Sequence, residues 1–289
     1  IPLRLVGSEM CIRDSFSIEV MPRTSSKIES FTEILPKNTR VYIAHIEGVP
    51  IEEMVQTAKR ISSEGFAVMP HFPARIIKNK NILEQWIKMY QDEAGIDQAL
   101  LLAGGVVSPH GDFKDSMQLV ETELFEKYNF KNLHFAGHPE GNKDIDYDGS
   151  TKNIDEALIW KQSYSERSDI DLAITTQFCF EADPVIEWAN SLIENGINIP
   201  IHIGVAGPAK LQTLIKFSIA CGVGPSLRVL QKRAKDIKKL LLPFEPNDFL
   251  ETLARHKKTN PSFNITNIHF FPLGGINTNA TWINNAKNN

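Results

Sequence analysis

The sequence predicts an α/β protein of one domain, a closed (β/α)8 TIM barrel with extra helices before its last strand. Three observations predict it. From Phe16 onward, eight short runs rich in Val, Ile, Leu or Phe alternate with helical patterns, and no Pro/Gly/Ser-rich linker divides the 289 residues. No GxGxxG follows the first run, so an open dinucleotide-binding sheet loses its main support. Polar side chains end many different runs instead of gathering at one switch point, which suits a barrel whose site draws on every strand end.

The strands are expected at 16–20, 40–45, 66–71, 98–103, 132–136, 171–177, 199–204 and 266–271. Their near-continuous apolar character is that of strands covered on both faces. Pro50 opens the helix after the second strand and Gly65 closes it. Helices near 81–94 and 113–128 are amphipathic, the first with Ile82, Trp86, Met89 and Tyr90 as its core stripe. Asp183-Pro184 opens the helix after strand six, and Gly196 closes it. Two or three consecutive helices over 207–258 form an insertion before the last strand.

Composition narrows the function. The 31 basic and 35 acidic residues give a net charge of −4, which argues against a general nucleic-acid binder. The basic run Lys232–Lys239 has helical spacing and reads as a solvated helix face. Three cysteines lack metal-ligand spacing, and Cys179 and Cys221 read as small core residues. No apolar run approaches the roughly 18 residues of a membrane span. A cytoplasmic protein is expected. Residues 1–15 match no targeting pattern and resemble translated sequencing-adapter read-through, so the fold is expected over 16–289, with the native start missing.

In a barrel the strand ends share one mouth. Strand one brings Glu19, strand two His45 and Glu47, strand three His71, strand four Gly104-Gly105, strand five His138-Pro139-Glu140, strand six Gln177 and strand seven His202. Strand eight leads to Gly274-Gly275 and Asn277. Glu19, walled by apolar strands, is either a general acid with a raised pKa or a strand-end glutamate paired with an arginine such as Arg23. Gln177 offers a donor and an acceptor to a heterocycle edge, or ties strand six to its loop. Gly104-Gly105 permits close backbone approach to a ligand, or makes an ordinary turn. His71 and His138 read as phosphate or ring contacts or as structural histidines. No metal site is expected, because the four strand-end histidines lack supporting carboxylates.

Taken together, Phe16-Ser17-Ile18-Glu19-Val20-Met21-Pro22-Arg23-Thr24 and Ile174-Thr175-Thr176-Gln177-Phe178 resemble the F-E-F-F-P-P-R-T and I-T-Q-F segments of the methylenetetrahydrofolate reductase family. Met69-Pro70-His71, His138-Pro139-Glu140 and Ile268–Leu273 agree in order and approximate spacing, and the likeness spans most of 16–285. The resemblance implies a flavoprotein oxidoreductase of one-carbon metabolism and methionine biosynthesis. Such an enzyme interconverts 5,10-methylenetetrahydrofolate and 5-methyltetrahydrofolate, with NAD(P)H reducing FAD and hydride passing through the flavin N5. It implies Glu19 as general acid, Gln177 as a folate contact, His71, Gly104, Gly105 and His138 as cofactor contacts, and a homo-oligomer as a plausible assembly. The departures are specific. The family's L-R-G-D at strand four is here Leu102-Ala103-Gly104-Gly105, and its N-R after strand eight is Gly274-Gly275. Losing that Asp removes an interaction of about 4 kcal/mol or less at ~4 Å and an effective dielectric near 20, which would raise the flavin potential and favour oxidation of methyl-folate. The alternatives are a folate-binding barrel without flavin chemistry and a folate-dependent methyltransferase or demethylase component.

Overall fold

The computed structural model describes residues 16–37, 39–222, 227–231 and 243–288. The segment 1–15 and the basic run 232–239 therefore lie outside the described residues. Eight strands close a barrel in chain order: β1 Phe16–Val20, β2 Arg40–Ile43, β3 Ala67–Pro73, β4 Gln98–Leu102, β5 Asn132–Gly137, β6 Asp171–Cys179, β7 Ile201–Ala206 and β8 Ile265–Phe271. The chain's contacts gather in two compact units. One comprises Ile18–Ala136 with Ile159–Thr175; the other comprises Gly137–Leu158, the chain from Thr176 on, and β1's first residues through Ser17.

In the first unit, helices α1 Pro22–Ser25, α2 Ile51–Ser63, α3 Lys80–Ala94, α4 Ser116–Val120 and α5 Leu124–Lys127 follow their strands. Pro50 is the N-cap of α2, and Glu52 and Glu53 lie in its first turn, where carboxylates suit the helix dipole. Asn79 caps α3 by accepting from the Ile82 N–H at 3.1 Å, and Gly95 ends it at φ +65°. The buried face of α3 is Leu83, Ile87, Tyr90 and Ala94. Of the expected stripe only Tyr90 is buried; Ile82, Trp86 and Met89 are half-buried. The single helix expected at 113–128 is broken, with Glu123 at φ +60° between α4 and α5. Thr122 competes with the helical ladder there, its Oγ1 donating to the Leu119 carbonyl at 2.6 Å.

Strand register sorts the side chains. Tyr42 pairs with Met69, and Leu100 pairs with both His71 and His134. These residues alternate with the helix-facing set, in which Phe72 packs edge-on against Phe125 at 5.6 Å and lies 5.5 Å from Tyr90. Tyr42, Met69 and Leu100 form a separate buried cluster with Leu102 against it.

In the second unit, α7 Ala182–Glu194, α8 Leu211–Ala220, α9 Asn247–Thr259 and α10 Ile276–Asn288 are long helices. Helix α6, Lys152–Ser165, runs from this unit into the first. The expected insertion is present: α8, a helical turn at 227–231, a bridge between Ala209 and Phe244, and α9 all lie between β7 and β8. Its apolar faces join the ends of β6 and β7 in one core of Phe178, Phe180, Ala206, Leu214, Leu230 and Phe244. Strand β7 starts two residues later than expected, because Pro200 has no N–H for the ladder. Ile201 instead makes the first bond, to the Asn264 carbonyl at 2.8 Å.

Candidate functional site

In the first unit, Glu19 is the fourth of five residues in β1 and is half-buried. Met21-Pro22-Arg23-Thr24 turns immediately into α1, closed by the Met21 N–H donating to Thr24 Oγ1 at 3.0 Å. Glu19 Oε2 lies 3.2 Å from His71 Nε2, and the two side chains are 19% and 8% exposed. The approach is at ion-pair distance without hydrogen-bond alignment. The histidine expected to touch a cofactor is thus paired with the candidate acid.

Beneath this pair lies a polar layer that the sequence reading missed. The Tyr42 hydroxyl is 2.7 Å from His134 Nδ1 and 3.3 Å from Thr175 Oγ1, and His134 Nδ1 is 3.0 Å from that same Thr175 oxygen. All three residues are buried. The Tyr42 ring also meets the His71 ring nearly edge-on, with centroids 6.4 Å apart at 84°. A tyrosine in an otherwise apolar strand must find a hydrogen-bond partner when buried, and that was the available signal.

His45, two residues past β2, stacks on Trp86 at 5.0 Å and lies 2.9 Å from the Val49 carbonyl through Nε2. Burial holds its pKa below the usual histidine value, and the neighbouring His71 adds to that. Gly104, just beyond β4, has φ +94°, and a Cβ there would stand 3.0 Å from Pro73 Cβ, so the backbone stays bare. Gly105 is exposed with open space around it. The chain after these glycines is pinned by Arg75, whose guanidinium donates to the Lys114 and Val106 carbonyls at 3.0 and 3.1 Å. Glu47 is placed by a surface pair with His110 at 3.0 Å.

In the second unit, His138, Glu140, Asn142 and Gln177 line a small open cleft with Cys179 and Cys221. Gln177 is two residues short of the end of β6, and its Oε1 accepts from the Phe178 N–H at 3.3 Å. Burial, with Glu140's charge behind it, pushes the Cys179 thiol well up, so a core role fits it. Cys221 differs from expectation in being half-buried at the cleft wall. His202 is the second residue of β7 and sits at its amino end, so it does not serve as a strand-end group. Asn277 is exposed in the first turn of α10. Among the described residues no three His, Cys, Asp or Glu side chains are grouped to hold a metal ion, and no helix is long and apolar enough to cross a membrane.

No protein-family model matches the chain. An uncharacterised protein from Clostridium thermocellum, described as binding two copies of 5-methyl-5,6,7,8-tetrahydrofolic acid, is similar in structure. Its TM-score is 0.59 at 12% identity, covering 98% of this chain and 95% of that one, a likeness of fold. DHPS from Yersinia pestis, in complex with a pterine-sulfa conjugate, matches at a TM-score of 0.47 and 9% identity over 99% and 96% of the two chains, too distant to carry weight.

Proposed function

We propose that this barrel binds a reduced folate and transfers a proton to it through Glu19. The observation that carries the reading is the pair formed by half-buried Glu19 of β1 and buried His71 of β3. A carboxyl group at that strand end can give a proton to a nitrogen of a bound heterocycle, and the imidazole 3.2 Å away is placed beside the carboxylate that is left. Opening the five-membered ring of a methylene-folate requires such a proton on the departing nitrogen. The ligand named for the Clostridium thermocellum protein supports the choice of folate over other heterocycles.

The test is calorimetric titration of the purified chain with 5-methyltetrahydrofolate without oxygen. Binding by the wild type is expected, with a pH dependence that Glu19→Gln loses while remaining folded. A wild type that takes up no folate would sink the reading.

A second reading, conversion of methylene-folate to methyl-folate through FAD and NAD(P)H, draws on the segments 16–24 and 174–178 and on the bare backbone at Gly104. FAD, when bound, would supply the hydride. Gly104 and Gly105 fit the edge of a flat ring, but the guanidinium nearest in sequence, on Arg75, is engaged with backbone carbonyls. A yellow protein that bleaches with methyl-folate would favour this reading. A protein that stays colourless after incubation with FAD would leave folate binding alone.

A further inference from the structure

Tyr42 joins two buried histidines. Its hydroxyl lies 2.7 Å from His134 Nδ1 and 3.3 Å from Thr175 Oγ1, and its ring stands at 84° to the His71 ring with centroids 6.4 Å apart. The His134 ring is centred 5.8 Å from the same phenol. Leu100 of β4 pairs with both histidines in the strand register, so they stand on either side of it and Tyr42 reaches both. Met69, Leu100 and Leu102 pack around the phenol. A plain apolar ring would fill that place equally well. A buried hydroxyl instead costs free energy unless it is bonded, so its ties to His134 and Thr175 point to a role beyond filling space.

That role lies in what His71 must do. Its Nε2 is 3.2 Å from Glu19 Oε2 without a hydrogen bond. Turning the imidazole about its Cβ–Cγ bond carries this nitrogen toward the carboxylate or away from it, and such a torsion has a broad range unless a neighbour restricts it. The Tyr42 ring is that neighbour, and it cannot yield because its far end is held. We propose that Tyr42 is a positioning residue: its hydroxyl, tied to His134 and Thr175, fixes the phenol ring, and the ring fixes the plane of the His71 imidazole beside Glu19. The purpose of this positioning rests on the reading of Glu19 as proton donor, since the imidazole must meet the carboxylate that the proton leaves behind. The titratable groups on the elements around His71 are Glu19 on β1, Tyr42 on β2, His134 on β5 and His45 after β2, the last coupled to His71 through charge.

The test reads His71 in the ligand-free full chain by nuclear magnetic resonance of its ring nitrogens, assigned by the signals that His71→Gln loses. One sharp set is expected from the wild type, with a nuclear Overhauser contact to the Tyr42 ring protons. Tyr42→Phe keeps the ring and loses its tether, so the His71 signals should broaden or move toward the average of the two neutral tautomers. Thr175→Val should move them the same way by less, whereas Thr175→Ser, which keeps the hydroxyl, should give the wild-type signals. With 5-methyltetrahydrofolate added, the change in affinity across neutral pH should be about threefold smaller in Tyr42→Phe than in the wild type, the scale of one lost neutral hydrogen bond. A folded Tyr42→Phe whose His71 signals match the wild type overturns the proposal, and Tyr42 then only fills the barrel interior. If Tyr42→Phe does not fold, unchanged signals in Thr175→Val overturn it equally. A wild type that binds no folate, together with displaced His71 signals in Tyr42→Phe, sinks the folate reading and leaves the positioning in place.

Discussion

Lys161 shows how one side chain can oppose the fold that holds it. It is 7% exposed on α6, donates to the Ala136 carbonyl at 3.2 Å, and has its ammonium 5.4 Å from the centre of the Phe135 ring. Burial lowers its pKa from 10.5 to about 8, with Asp115 opposing only in part. The charged form is therefore disfavoured in the folded state. Between about pH 8 and 10.5 the unfolded chain binds more protons, so Lys161's contribution to stability rises with pH across that window. Below it the full penalty applies, of order 3 kcal/mol for such a shift. Lys161→Met should therefore be more stable than the wild type at pH 7 by on the order of 1 kcal/mol, after loss of the hydrogen bond and the ring contact. The advantage should shrink toward pH 10.5. Urea unfolding of both proteins at several pH values measures the difference, and an advantage that does not change with pH would exclude burial of the charge as its source. Tyr42, His134 and Thr175 are the contrasting case, since the Tyr42 hydroxyl, His134 Nδ1 and Thr175 Oγ1 are neutral groups that lie within 3.3 Å of one another.

At the scale of single elements, α3 separates what periodicity reveals from what it hides. The cap at Asn79 and the stop at Gly95 each have a local reason to be there, though the expectation near 81–94 rested on apolar spacing alone. The helix itself is equally plain from its apolar spacing. Its orientation is less so, because Leu83 and Ile87 lie one position along from Ile82 and Trp86, and both rows are apolar. Trp86 instead leans on His45, a contact fixed by tertiary structure. Leu83→Ala should cost about 2–5 kcal/mol, the range for emptying a fully buried leucine site. Ile82→Ala, at a half-buried position, should cost less than about 1.5 kcal/mol. Chemical denaturation of the two variants measures this, and similar losses would return Ile82 to the core. The break at Glu123 was hidden for a related reason. Thr122 can serve a helix or interrupt it, and local sequence does not decide which.

At the scale of the whole molecule, eight apolar runs in alternation with helices made the barrel legible, whereas the partners across it were not. Glu19 and His71 are 52 positions apart, and their meeting depends on the stagger of strands that no local pattern encodes. His202 was misplaced by the same uncertainty, since a two-residue shift of β7 puts it at the other end of the strand. Closure also makes demands on residues that carry no chemistry. Gly204, in the middle of β7, donates its N–H to the Thr176 hydroxyl oxygen at 2.8 Å. A Cβ there would stand 2.4 Å from the Thr176 carbonyl oxygen and 2.5 Å from that of Gln177. Both obstacles are backbone atoms of β6, so no side chain can turn aside to relieve the clash. Gly204→Ala must push β7 from β6 and strain the ladder on either side, at a cost of about 3 kcal/mol or more, above the usual range for an added methyl group in a core. Loss of soluble protein, or a urea midpoint lowered accordingly, is the expected result. A variant as stable as the wild type would mean that β6 and β7 can separate without opening the barrel, and that the approach at Gly204 is dispensable to its closure.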